Sequence, residues 1–307
     1  MENNCNVVRI HLKTATEKRK ELINFCLYGK SQYVAVGWSC VHESAPDIET
    51  FDDFYKAVLK WNKKYNHRIN AAINRFYETK ENDLFWTREE NTYWICRATG
   101  TAMPLENGEL DIGAVVPVEA YRCKIDVPGQ IQASFSRRRG GISERFSDDN
   151  LIVAFSQHAF NESSGREVYK VSKIQTDDFL DNLPPFDLEE LVISYIQITE
   201  NYYVLSNSIA KNSTTPLIEC RFLSRDKKNP KSAVVQVKGG KAQIDASKYR
   251  EYDKDGCTIY FYSSEPIVNG EEIKNKVEIT KNQLLEFYRE YKDVLPTSIT
   301  RWESIFG

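Results

Sequence analysis

The chain has 307 residues, 41% hydrophobic and 28% charged, enough apolar side chain to bury real cores and to exclude a disordered polymer. Domains run to roughly 100–200 residues, so the length predicts two. A net charge of −3 excludes a uniformly basic coat for nucleic acid but leaves room for a local basic groove. The apolar runs are only a few residues long, against the about 20 that a membrane-spanning helix needs. Seven scattered cysteines with no CxxC argue against a zinc ribbon or a redox dithiol and predict a reducing, cytoplasmic setting. The first ten residues lack the basic flank and apolar core of a secretion signal.

Asn6–Leu12 reads as a short strand, a charged stretch over Thr16–Tyr28 as a helix, and Tyr33–Trp38 as a second strand. Thr50 and Asp53 are spaced to cap a helix running to about Tyr65, with Phe51, Phe54, Tyr55, Val58 and Leu59 as its apolar stripe. A further helix is predicted over Ile69–Tyr77, then strands at Leu84–Thr87, Tyr93–Thr99 and Ile112–Val118. This predicts a compact α/β domain with a curved sheet over 1–160. The polar NESSG stretch at Asn161–Gly165 and the DNLPPFD stretch at Asp181–Asp187 read as connecting structure, so 161–182 is the expected linker. In the remainder, 183–307, Asp187 is placed to cap a helix with Leu188, Leu191, Val192 and Tyr195 on its apolar side. Strands follow at Tyr202–Ser206, Leu217–Leu223 and Ala233–Lys238, then a short helix at Ala246–Tyr252 and a strand at Thr258–Tyr262. A last helix starts at Thr280, with Gln283 placed for a capping box.

The second half carries Leu217-Ile218-Glu219-Cys220 and, fourteen residues further on, Val235-Gln236-Val237-Lys238-Gly239-Gly240. Gln236 and Lys238 lie two apart and share a strand face. On adjacent strands, Glu219, Gln236 and Lys238 can converge. An acidic oxygen and an amide oxygen suit a hard divalent ion such as Mg²⁺ (or Mn²⁺), and a lysine there can position a metal-bound water against phosphorus. Together with the α-β-β-β-α-β order, these residues resemble the PD-(D/E)xK nuclease superfamily, in particular its Mrr-like branch with glutamine in the third motif. The resemblance implies catalytic roles for Glu219, Gln236, Lys238 and Glu189, the last as the first-helix acid, with Glu219 and Gln236 as metal ligands. The sequence departs from the pattern: the strand acid is glutamate, no Pro-Asp precedes it, and Gln236 removes one charge. Nucleophilic catalysis has little support, since all four histidines lie in the first half and there is no GxSxG or P-loop.

In the first half, Trp38, Trp86 and Trp94 occupy strand or turn contexts, and Arg137-Arg138-Arg139 follows Phe135 as the densest basic run. Aromatic rings can stack on an extruded base while arginines hold phosphates. The segments Val36-Gly37-Trp38-Ser39, Asp83–Arg88, Asp111-Ile112-Gly113 and Val127-Pro128-Gly129 with Ser134-Phe135 resemble EVE-like domains, relatives of the YTH and PUA folds. That resemblance implies a modified-base pocket; Trp38, Ser39, Trp86 and Trp94 are the expected walls, and Arg137, Arg138 and Arg139 the expected backbone contacts. Taken singly, each tryptophan reads better as core than as a pocket wall. The combination predicts a modification-dependent DNA endonuclease of the type IV restriction kind, serving phage defence, with a homodimer as the route to double-strand cleavage. The rival reading is a nucleic-acid reader, DNA- or RNA-directed, whose nuclease-like domain is inactive.

Overall fold

The computed structural model describes residues 5–306 except 46, 63–66, 138–140, 147–148, 172, 174–178, 210–216 and 229, and leaves aside the side chains of 67–70 and 181. The chain divides into two α/β units, Met1–Ile174 and Gln175–Gly307. No helix among the described residues is long and apolar enough to cross a membrane.

The first unit runs β1 (Val7–Ile10), α1 (Arg19–Ile23), a π-helical turn (Asn24–Tyr28), β2 (Gln32–Val36), α2 (Cys40–Ser44), α3 (Phe51–Trp61) and α4 (His67–Tyr77). It continues with β3 (Leu84–Glu89), β4 (Thr92–Ala98), β5 (Met103–Asn107), β6 (Ile112–Arg122), α5 (Gly129–Ser136), β7 (Ser143–Arg145) and α6 (Asn150–Ser164). The sheet order is β2-β6-β4-β3-β1-β7, with β5 paired to β6; only β1 and β3 are parallel. Thr50 and Asp53 cap α3 reciprocally. Alternation along β3 sends successive side chains to opposite faces. Phe85 joins the core made with Phe54, Val58, Ile73 and Phe76, while Trp86 stacks on Phe155 of α6. Both faces of β3 are therefore covered, which explains its unbroken apolar run.

The expected linker at 161–182 needs correcting at both ends. Asn161–Ser164 is the last turn of α6, closed by Gly165 at φ 70°. The Asn161 amide then accepts from the N–H groups of Val168 and Tyr169, and the Tyr169 hydroxyl donates to Asn82 O at 2.7 Å, so the first unit extends well past residue 160. At the other end, Phe179 packs on Tyr288 and Phe306 of the second unit.

The second unit runs α7 (Phe179–Asn182), α8 (Pro185–Thr199), β8 (Tyr202–Val204), β9 (Cys220–Ser224), β10 (Ser232–Lys238), a 3-10 turn (Ala246–Tyr249), α9 (Arg250–Lys254), β11 (Thr258–Ser263), β12 (Lys276–Glu278), α10 (Lys281–Tyr291) and α11 (Thr297–Thr300). Strands β8, β9 and β10 form an antiparallel meander, and β11 and β12 add in parallel, giving β12-β11-β10-β9-β8. One face packs Val234, Ile259 and Phe261 against Tyr249. On the other, Tyr260 donates to Glu200 beyond the end of α8. Asp187 is not the cap of α8, which starts after Pro184; its buried carboxylate accepts from Trp302 Nε1 at 2.7 Å and so ties α8 to the end of the chain.

Candidate functional site

In the second unit, the register that sets Cys220 opposite Val235 also sets Glu219 opposite Gln236. The Glu219 N–H donates to Val235 O at 2.9 Å, which fixes the acid at the entrance of β9. Its carboxylate accepts from Gln236 Nε2, and Lys238 Nζ lies 3.9 Å from the same oxygen, Oε1. Glu219 and Gln236 are buried, while the Lys238 side chain is one-third exposed. Gly239 follows where an added Cβ would come within 3.0 Å of Leu188 Cδ2, so the strand end lies close under α8. From α8, Glu189 feels Glu219 and Lys238. Burial first, then the neighbouring Glu219 charge, pushes its carboxyl up to about 7, with Lys238 opposing. Burial raises Glu219 as well, against Lys238 and two hydrogen bonds. The structure thus brings Glu219, Gln236 and Lys238 together at the ends of β9 and β10, with Glu189 of α8 close enough to feel the charges of Glu219 and Lys238.

The repulsion between the two acids is what a hard cation relieves. Two carboxylates and an amide oxygen are suitable donors for Mg²⁺ or Mn²⁺, with waters completing the shell. Among the described residues no group of three or more His, Cys, Asp or Glu is placed to hold a metal, and the Gln236 amide presents its N–H to Glu219 and its oxygen to Tyr249. Sequence reasoning missed Tyr249. Its hydroxyl lies 2.7 Å from Leu217 O and 3.0 Å from Gln236 Oε1, behind the glutamine.

In the first unit a cleft of about 390 Å³ opens at the end of β2. His11, Lys13, Trp38, Trp61, Asp111 and Ile142 are among its lining. Trp38 holds φ 66° and Asp111 φ 51°, a left-handed backbone that is costly for residues with a Cβ and clusters at binding sites. The surroundings enforce it. An added Cβ on Gly113 would sit 2.5 Å from Gly37 O and 2.6 Å from Phe54 Cζ, so the two chain turns touch. The Asp111 carboxylate then accepts from Ser39 N–H (3.3 Å), Ser39 Oγ (3.0 Å) and Ala15 N–H (3.2 Å). His11 is pushed down to about 4 by burial and then by the charges of Arg9, Lys13, Arg88 and Arg19. The cleft wall thus carries an imidazole with cationic neighbours on one side and the Asp111 carboxylate on another.

Of the four expected pocket residues, only Trp38 lines this cleft. Ser39 acts behind it, through Asp111. Trp86 is a correction: it is fully buried, and its indole N–H donates to Ser156 of α6 at 2.8 Å. Trp94 is another: it is 4% exposed, with Tyr28 edge-on at 5.1 Å and the Arg122 guanidinium 5.5 Å from its ring. Both are core because helix and turn cover the sheet faces they sit on. Arg137 is engaged by Glu144 at 2.8 Å, and Arg138 and Arg139 lie outside the described residues. The missed aromatic is Trp61, 45% exposed at the end of α3. It falls seven residues after Phe54 and three after Val58, in line with the apolar stripe of α3, so the sequence pattern carries no sign that it is exposed.

No family model matches the chain, and no curated protein matches it. Among solved structures, it aligns with MspJI restriction endonuclease in complex with a 27-mer oligonucleotide, at 7% identity over 80% of this chain and 72% of that one, with a TM-score of 0.23. A score that low lies below a shared fold and assigns nothing to this chain.

Proposed function

We propose that the chain is a modification-dependent DNA endonuclease, whose first unit reads one flipped base in the Trp38–Trp61 cleft and whose second unit hydrolyses the backbone. The observation that carries this reading is the acid pair of half-buried Glu189 and buried Glu219, with Glu189 pushed up to about 7, beside Gln236 and Lys238 on an αβββαβ scaffold. Glu189, Glu219 and Gln236 hold Mg²⁺ or Mn²⁺. When bound, such an ion polarises a phosphate oxygen and acidifies a water. Lys238 positions the attacking water and stabilises the negative charge that grows at phosphorus. In the cleft, Trp38 and Trp61 offer apolar faces to a base, and Lys13 with its neighbouring cations attracts the flanking phosphates. One pocket cuts one strand, so double-strand cleavage requires two copies.

The test is incubation of the protein with modified and unmodified phage DNA, with and without Mg²⁺. Cleavage confined to modified DNA in the presence of Mg²⁺ is expected. Preferential binding without cleavage would instead favour a reader with an inactive nuclease-like unit. The observation on that side is that Glu219 Oε1 already has Gln236 and Lys238 as partners.

A further inference from the structure

Gln236 is a buried carboxamide with a partner on each side. Its Nε2 donates to Glu219 Oε1 and, at 3.3 Å, to Val237 O; its Oε1 faces the Tyr249 hydroxyl at 3.0 Å. Tyr249 is itself buried, and its hydroxyl has a second, nearer acceptor in Leu217 O at 2.7 Å. A phenol carries one proton and cannot serve both acceptors at once. With the proton on the shorter bond to Leu217 O, the phenol oxygen and Gln236 Oε1 meet lone pair to lone pair. The observed amide position is then held from the other side, by the pull of the Glu219 carboxylate on the N–H.

Turning the amide over by half a rotation reverses the contacts with Tyr249 and Glu219 and gives up the longer one to Val237 O. Tyr249 keeps its proton on Leu217 O and accepts from Gln236 Nε2. Gln236 Oε1 then faces the Glu219 oxygen, an arrangement that is repulsive unless a cation lies between the two. We propose that the Gln236 carboxamide is a two-position element that turns over when a hard divalent cation enters, with Tyr249 as the positioning residue that receives its N–H in the bound position. The inference rests on the nuclease reading of this pocket and adds the device that makes a glutamine serve where a third acid is missing. It also explains the position of Tyr249: the hydroxyl contributes little to the ion-free amide and supplies the turned amide with its acceptor.

The experiment uses the full chain, labelled with ¹⁵N. The side-chain amide signal of Gln236 is assigned by its loss in Gln236→Glu and followed during titration with MgCl₂, with calorimetry in parallel on the wild type, Glu219→Ala and Tyr249→Phe. Tyr249→Phe keeps the ring that packs edge-on to Phe261 at 4.9 Å, and thermal melting checks that it folds. The expected result is a Mg²⁺-dependent shift of both Gln236 amide protons as they exchange a carboxylate acceptor for a phenol. Tyr249→Phe should weaken Mg²⁺ binding by roughly 5- to 30-fold, the loss of one hydrogen bond. Mg²⁺ binding that depends on Glu219 but leaves the Gln236 signal unmoved, or that is unchanged in Tyr249→Phe, overturns the switch and leaves the nuclease reading standing. If neither Mg²⁺ nor Mn²⁺ binds the wild type, the nuclease reading falls and the switch with it.

Discussion

The cleft of the first unit and the pocket of the second are opposite electrostatic constructions. Around His11 the neighbours are cations, and the imidazole is held neutral. Around Glu189 the strongest neighbouring charge is another acid, Glu219, and the carboxyl is held toward neutrality from the other side. In each place burial is the larger cause and the like charge the second, but the like charges are cations around His11 and a carboxylate beside Glu189. The difference teaches that a net charge of −3 describes neither site, because the average conceals two local fields of opposite sign.

The sharpest way to break this comparison is at Lys238. Lys238→Ala should lower cleavage by about 10²–10⁴-fold while leaving DNA affinity nearly unchanged, measured by strand scission and by filter or anisotropy binding. Full activity in that variant removes Lys238 from the chemistry. Next in size is the contrast between two tryptophans. Trp86→Ala should cost about 3–5 kcal/mol of stability in chemical denaturation, since it empties a core site. Trp38→Ala should leave melting nearly unchanged and weaken modified-DNA binding by roughly 10- to 100-fold, with little effect on the salt-sensitive binding of unmodified DNA. Joint loss of stability and both kinds of binding would move Trp38 into the core as well.

The smallest effects are the pH dependences, and they run in opposite directions. His11 sits at about 4 in the folded chain against 6.5 unfolded, so the unfolded chain takes up its proton first. Its contribution is full above 6.5 and is lost as pH falls from 6.5 toward 4; melting of His11→Gln should vary less across that window. Glu189 sits at about 7 against 4.5, so the folded chain holds the proton longer. Its contribution is full below 4.5 and is lost as pH rises through 7, and Glu189→Gln should be the flatter variant there. Added Mg²⁺ should raise the melting temperature of the wild type more at pH 8 than at pH 5, because the ion takes the place of the protons.

The parts of the fold that could be read from the sequence are those with local chemistry. The Thr50–Asp53 and Thr280–Gln283 boxes cap their helices as their spacing requires. The order of helix, three strands, helix, strand in the second half was visible in its alternating patterns. Helix α6 was not legible, because Leu151–Phe160 is apolar on several sides and shows no clean stripe; Ile152, Phe155, Ala159 and Phe160 are all buried. Without that helix nothing in the sequence covers the second face of β3, so the resemblance that puts Trp86 in a pocket meets no opposing signal. The strand β12 is only three residues long, Lys276–Glu278, and is defined by its parallel partner rather than by its own pattern. At the candidate sites, residue types at fixed spacing named Glu219, Gln236 and Lys238. Trp61, Asp111, His11 and Tyr249 come from separate segments and could be associated only through the fold.

Strand β1 lies between β3 and β7, pairing Val7 with Leu84 on one edge and Arg9 with Glu144 on the other. During synthesis, at about 5–20 residues per second, the second of those partners follows Arg9 by roughly 7–27 s. The β3 partner follows Val7 by roughly 4–15 s, so both edges of Val7–Ile10 are bare only until then, and the β7 edge stays open for the rest of the interval. The cleft inherits the delay, since His11 and Lys13 follow directly on this strand. The cleft of the nascent first unit therefore stays incomplete until β7 and the neighbouring Ile142 have emerged.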